Sequence, residues 1–181
     1  MRLLDPESLA ARARAVKAIV VDCDGVLTDG SLVYDADGDA QRSFFVRDGS
    51  SMKLALAEGL KVAILSGRDS RAVLRRATEL GLTECVQGRR RKLPAWHELL
   101  ARLGVTEEQT AYMGDDFLDL SLLRRAGLAA VPEDASAEAR EAAHFIASRP
   151  GGRGAVRELV ELILRAQGTW DAAIERDLSR D

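Results

Sequence analysis

An α/β fold is predicted, a Rossmann-like doubly wound parallel sheet covered by helices, and three observations carry that expectation. Short apolar runs rich in β-branched residues alternate with amphipathic stretches of helical period, the pattern of strand–helix–strand units. At 181 residues and 46% hydrophobic, the chain can bury one sizeable core and is too short for two comfortable ones, so residues 1–181 read as a single domain. Polar and charged residues gather at the carboxyl ends of the apolar runs, where open α/β sheets take their ligands.

The first strand is Lys17–Asp22 (KAIVVD). A β-hairpin follows over residues 31–46: Ser31–Tyr34 and Gln41–Val46 flank DADGDA, where Asp37-Gly38 suits a tight hairpin turn, and the segment is expected to project from the sheet. Asp48 is placed to cap a helix running to Glu58 and stopped by Gly59. Lys61–Ser66 is the next strand, and Asp69 starts a helix that Gly81 ends. Glu84–Gln87, Thr110–Met113, Leu128–Val131 and His144–Ala147 complete the strands, with a helix from near Phe117 to Gly127. GGRG, Gly151–Gly154, reads as a flexible joint before a helix over Ala155–Gln167. The charged tail Thr169–Asp181 has no evident core to join, so 152–181 is taken as a C-terminal helix and tail.

Composition narrows the partners. The formal net charge is −3 with acids and bases nearly balanced, so no global positive field exists to hold nucleic acid or an anionic membrane. Acids and arginines interrupt the N-terminal stretch where a signal peptide needs an apolar run, and a cytoplasmic location is expected. Cys23 and Cys85 belong to no ligand pattern and read as buried free thiols. His97 and His144 lack a metal-ligand partner at helical spacing, and Trp96 and Trp170 read as packing residues. The basic run Arg89–Lys92 reads as a solvated face apart from Lys92.

Four strand ends carry the chemistry. VVDCDGVLTDG places Asp22 at the end of the first strand and Asp24 two residues on, in a glycine-containing loop. Ser66 follows KVAIL, Lys92 follows ECVQ, and Asp115 with Asp116 follows AYM. A carboxylate can attack a phosphate monoester only if the charges on both partners are neutralised, which calls for a hard divalent cation. Asp22, Asp115 and a backbone carbonyl of Asp24 make an oxygen-only set suited to Mg²⁺. Ser66 and Lys92 can grip the phosphoryl oxygens, and Asp24 can give a proton to the leaving oxygen and later take one from water. Asp116 and Asp119 are expected to support the metal from outside, while Asp29 reads as a loop acid making an Asx-type bond.

These motifs in this order, DxDG (Asp22, Asp24, Gly25), Ser66, Lys92 and GDDxxD (Gly114–Asp119), resemble the haloacid dehalogenase superfamily. Asp24 favours phosphate-ester hydrolysis, because the dehalogenases lack that acid and the ion-pumping ATPases carry threonine there. A finer resemblance spans nearly the whole chain: DGVLTDG, the hairpin followed by VRDG, LSGR, QG before Lys92, GDD and GGRGAVRE are similar to the 3-deoxy-D-manno-octulosonate 8-phosphate phosphatase family. That resemblance implies a Mg²⁺-dependent step toward lipopolysaccharide sugar through an aspartyl-phosphate. It also implies a capless homotetramer built through the hairpin, and the short Asp24–Ser66 and Ser66–Lys92 intervals agree that no cap domain is inserted.

Substrate contacts then fall to Gly25, Thr28, Gly67 and Arg68, with Arg68 as the fork for the sugar-acid carboxylate. Arg153 is a contact if the C-terminal segment reaches a neighbour's site and inert if it does not. Cys23 stands where the family has a hydrophobic residue, and Ser50-Ser51-Met52 stands where it tends to show another glycine, which puts the lining beside the substrate in question. A nine-carbon sialic-type sugar phosphate or another small ester remains the alternative substrate. A non-catalytic phosphosugar-binding module is the alternative of a different class, and the intact Asp22/Asp24 pair argues against it.

Overall fold

The computed structural model describes residues 5–34, 36 and 40–179, and their backbone builds a six-stranded parallel sheet between two layers of helix. Helix α1 (Pro6–Ala15) leads into β1 (Ala18–Val21), then the two-stranded hairpin β2 (Val33–Tyr34) and β3 (Ala40–Gln41), then α2 (Val46–Ala57) and β4 (Lys61–Leu65). The chain continues through α3 (Arg71–Leu80), β5 (Glu84–Val86), α4 (Lys92–Leu103) and β6 (Thr110–Met113). A single 3-10 turn (Phe117–Asp119) precedes α5 (Leu120–Leu123), β7 (Leu128–Val131), α6 (Ala137–Ala142), β8 (Phe145–Ile146), α7 (Ala155–Ala166) and α8 (Trp170–Leu178).

The strand order is β5-β4-β1-β6-β7-β8 with every neighbouring pair parallel, so the winding reverses on either side of β1. Side chains alternate across a pleated strand, and here both faces are covered, so the strands read as unbroken apolar runs. Ile19, Val21, Val62, Ile64 and Met113 meet the layer of α1, α2, α3, α7 and α8. Val20, Leu65, Tyr112 and Val131 meet α4, α5 and α6 on the other face.

Several local expectations are corrected. Asp48 does not cap its own helix: α2 starts two residues earlier, at Val46, and Asp48 is buried in its first turn. Its carboxylate instead accepts from the N–H groups of Gly154 (3.2 Å) and Arg157 (2.9 Å), satisfying the N-terminus of α7, which lies alongside. Ser70 rather than Asp69 precedes α3, and the helix expected from Phe117 is split into the 3-10 turn and the short α5. The N-terminal helix α1, not anticipated, is capped by Asp5, which accepts from Ser8 N at 2.9 Å, with Pro6 opening its first turn.

Gly151–Gly154 is no flexible joint. Gly151 and Gly152 are buried, with Gly151 N donating to Asp134 Oδ1 at 2.9 Å and Gly152 N to the Val26 carbonyl at 2.9 Å. A Cβ at Gly151 would lie 1.9 Å from the Gly25 oxygen, so only glycine lets this turn rest on the loop after β1. The charged tail does find a core: in α8, Trp170 and Ala173 are buried, and the guanidinia of Arg157 and Arg165 lie 5.7 and 5.4 Å from the Trp170 ring centroid.

The hairpin stands outside the main sheet, pairing Val33 with Gln41 and Tyr34 with Ala40. Val46, expected in its second strand, is the first residue of α2, and the Asp37-Gly38 turn lies outside the described residues. Cys23 is fully buried, and Cys85 is only partly so.

Candidate active site

Parallel pairing brings the strand ends to one edge. Val21 is level with Ile64 and Met113, so Asp22, Ser66 and Asp115 leave three adjacent strands side by side. Lys92 arrives from beyond β5 as the first residue of α4. Asp22, Asp24, Ser66, Gly67, Arg68, Lys92, Asp115, Asp116, Leu118 and Asp119 line one cleft there. Gly25 takes a left-handed φ of +87°, and a Cβ on it would sit 2.1 Å from Asp115 Oδ2, so glycine at this position lets the β1 loop close against that carboxylate.

Lys92 is the hub. Its buried ammonium lies 2.9 Å from Asp22 Oδ2 and 2.6 Å from Asp119 Oδ1. Burial works against that charge, but Asp22 and Asp119 outweigh it and hold the lysine above its ordinary pKa. Asp119 is itself saturated, accepting from the Tyr112 hydroxyl at 2.5 Å and from the N–H groups of Asp115 (3.0 Å) and Asp116 (3.4 Å). Burial pushes Asp22 up to about 6, with Lys92 opposing, and pushes Asp115 up to about 8, with Asp119 and Asp22 adding to the rise.

Carboxylate oxygens of Asp22, Asp115 and Asp119 lie within 4.8 Å of one another. Three carboxylates facing the one ammonium of Lys92 leave an excess of two negative charges when all are ionised. A divalent cation balances that excess, and a set made only of oxygens suits Mg²⁺. Because Asp119 already accepts four hydrogen bonds, Asp22 and Asp115 are the better direct ligands.

The other expected residues divide. Ser66 is buried, its hydroxyl accepting from Arg68 N at 3.3 Å, and Arg68 is exposed at the cleft mouth with Nε 3.8 Å from Asp24 Oδ2. Asp116 caps the 3-10 turn by accepting from Phe117 N at 2.7 Å. Thr28 is not brought to the cleft: it is buried, donating to the Cys23 carbonyl at 3.4 Å and accepting from Gly30 N at 3.2 Å. Arg153 lies away from its own chain's cleft, in a hollow beside Phe45, Arg149 and Arg157. Asp29 makes the Asx-type bond expected of it, to Ser31 N at 3.0 Å. Ser50 and Ser51 bond to carbonyls of their own helix and do not line the cleft. Cys23, between the two aspartates, has its thiol pushed up by burial and then by Asp24 and Asp22, which makes it a poor nucleophile.

Residues 82–158 match the model of the haloacid dehalogenase-like hydrolases. The 3-deoxy-D-manno-octulosonate 8-phosphate phosphatase of Haemophilus influenzae is 44% identical over 84% of this chain and 85% of its own length. The chain belongs to this phosphatase family. The Escherichia coli K12 member is 38% identical over 90% of this chain and 87% of its own. The solved structure of the Moraxella catarrhalis family member, in complex with magnesium, phosphate and the sugar acid KDO, superposes with a TM-score of 0.92 at 37% identity, covering 95% of this chain and 99% of that one.

Two residues at the site escaped the family's motifs. Arg42, just after β3, grips Asp24 through Nε–Oδ1 at 2.7 Å and a terminal nitrogen to Oδ2 at 3.1 Å. Tyr112 reads as one more apolar strand residue, and only the fold reveals Asp119 opposite its hydroxyl. Arg42 offers a faint signal in sequence, as a cation inside an otherwise uncharged stretch from Ala40 to Val46.

Proposed function

We propose that this chain is a Mg²⁺-dependent phosphatase that hydrolyses 3-deoxy-D-manno-octulosonate 8-phosphate to the free sugar acid and phosphate, in lipopolysaccharide precursor synthesis. The carrying observation is the buried cluster of Asp22, Lys92 and Asp115 at the end of β1, in a chain of this family. Asp22 and Asp115, with the Asp24 carbonyl, would hold Mg²⁺. When bound, the cation neutralises charge on the phosphoryl group and the attacking carboxylate.

Asp22 attacks phosphorus as the bond to the sugar oxygen breaks, and Asp24 gives its proton to that oxygen, leaving an aspartyl-phosphate and the free sugar acid. Water then attacks phosphorus and yields its proton to Asp24, and the Asp22–phosphorus bond breaks to release phosphate. Lys92 and Ser66 hold the phosphoryl oxygens during both transfers, Lys92 as a charge fixed by Asp119. Arg68, exposed at the mouth, meets the sugar-acid carboxylate with its planar fork.

Residues 1–181 act as one capless domain in the cytoplasm, and the cleft is covered by assembly into a homotetramer through the hairpin. Exposure of Val33 (59%) and Tyr34 (60%) supports a partner there, and Arg153 then reaches a neighbour's cleft. The deciding experiment is a panel of phosphate esters assayed with Mg²⁺. The eight-carbon sugar acid is expected to exceed a nine-carbon sialic-type phosphate and a hexose phosphate in kcat/KM by at least about 10-fold, the size of a lost specific contact. Chelation or Asp22→Asn abolishes turnover. Equal cleavage of the hexose phosphate would overturn the substrate assignment, and activity surviving in Asp22→Asn would overturn the mechanism.

A further inference from the structure

Asp24 is held by a buried guanidinium from the hairpin. The Arg42 side chain is only 2% exposed and donates to both Asp24 oxygens, through Nε at 2.7 Å and a terminal nitrogen at 3.1 Å. Its Asp24 partner is 21% exposed and lines the cleft, so one side of the carboxylate is fixed while the other stays open to substrate. Arg42 directly follows β3 of the hairpin, which among the described residues makes no strand pairing with the main sheet. The pair therefore bridges the hairpin and the loop after β1.

We infer that Arg42 is a positioning residue for the proton shuttle, setting the aim of the Asp24 carboxylate toward the leaving oxygen. The inference rests on the proposed role of Asp24. A lone aspartate turns freely about two bonds, and proton transfer is effective only from a group already within hydrogen-bond reach and alignment. A two-pronged guanidinium fixes both oxygens in one plane, occupies one lone pair on each, and leaves the others for exchange with substrate or water. Lysine, a point charge, can keep the attraction but cannot fix the plane. Arg68 makes only a longer ion pair with the same carboxylate, Nε to Oδ2 at 3.8 Å, and its exposed side chain lines the cleft.

The test reads the leaving group. The kcat/KM value covers only the steps up to departure of the alcohol, so it isolates proton donation from the later attack of water. A series of aryl phosphates of rising leaving-group pKa carries no carboxylate, which removes Arg68 from the comparison. Arg42→Gln is expected to lose on the order of 100-fold in kcat/KM on the sugar phosphate, the scale of a general acid's contribution. On 4-nitrophenyl phosphate, whose leaving group needs no proton, the loss is under about 3-fold, and the dependence on leaving-group pKa steepens across the series. Arg42→Lys falls between the two, and guanidinium ion added to Arg42→Ala restores part of the rate on poor leaving groups only.

Equal losses across the series, or a gain on poor leaving groups, overturn the inference. Should Arg42→Gln fail to fold, Arg42→Lys decides by the same comparison, with circular dichroism confirming its fold. Asp24→Asn separates the two levels: if it keeps the wild-type rate on the sugar phosphate, the role of Asp24 fails and the inference with it. If Asp24→Asn shows the steepened series and Arg42→Gln does not, the inference alone fails.

Discussion

Tyr112 shows how a single hydroxyl supports the chemistry from beneath. Its ring is fully buried and stacks edge-on against Trp96 at a centroid distance of 5.6 Å, while its oxygen donates to Asp119 and accepts from Lys92 at 3.4 Å. Tyr112→Phe removes a donor from a buried carboxylate and an acceptor from a buried ammonium without opening a cavity. The expected cost is about 1–3 kcal/mol in urea denaturation, the range for a buried polar group left short of a partner. An unchanged midpoint would mean that Lys92 and the N–H groups of Asp115 and Asp116 satisfy Asp119 without the hydroxyl. At this scale the sequence was most readable where function is local: Asp22 and Asp24, or Asp115 and Asp119, lie a few residues apart and announce themselves as pairs. Arg42 and Tyr112 were not legible as site residues because each meets its carboxylate only through the fold: Tyr112 reads as one more strand residue, and the lone charge of Arg42 among Ala40–Val46 names no partner.

Among the elements, β6 and β7 were legible to the residue and β1 and β4 to within one residue at an end, since strands of a sheet covered on both faces are short, largely apolar runs. Caps were less so. Asp48 sits where a helix start needs an acid, yet the N–H groups it satisfies belong to α7, a hundred residues onward, and no local pattern encodes that reach. The edge pair β7–β8 carries a pH dependence. His144 Nδ1 accepts from Ala129 N at 2.9 Å, which requires an unprotonated nitrogen, and burial first, then Arg12, holds its pKa below 6.5. The unfolded chain recovers the ordinary value, so below it the unfolded state binds more protons than the folded one. The stabilisation from His144 is therefore whole above that value and is lost as pH falls through 6.5 toward the lower folded value. Between about pH 7.5 and 5.5, wild type should lose more urea resistance than His144→Asn, whose amide oxygen can accept the same bond without titrating. Parallel losses in the two proteins would assign the acid sensitivity elsewhere.

The whole molecule was readable as a layered α/β unit because unbroken apolar runs alternate with amphipathic stretches along the chain, and the sheet they form divides the core into two apolar layers. What a sequence does not announce is which surfaces are closed by other copies. Val33 and Tyr34 sit exposed on a two-stranded ribbon that has little core of its own. If the hairpin drives assembly, light scattering on the intact protein gives the mass of four 19.6 kDa chains, and Val33→Asp with Tyr34→Asp shifts it to smaller species. A fourfold mass retained in the double variant would place the contact elsewhere. The glycine turn at Gly151–Gly152 has a consequence for synthesis. A nascent chain that has emerged through Asp119 already possesses every acid of the cleft, yet the backbone that buttresses Gly25 is still inside the ribosome. A chain cut short before that turn would thus carry every motif of the cleft without the backbone that rests against the loop after β1.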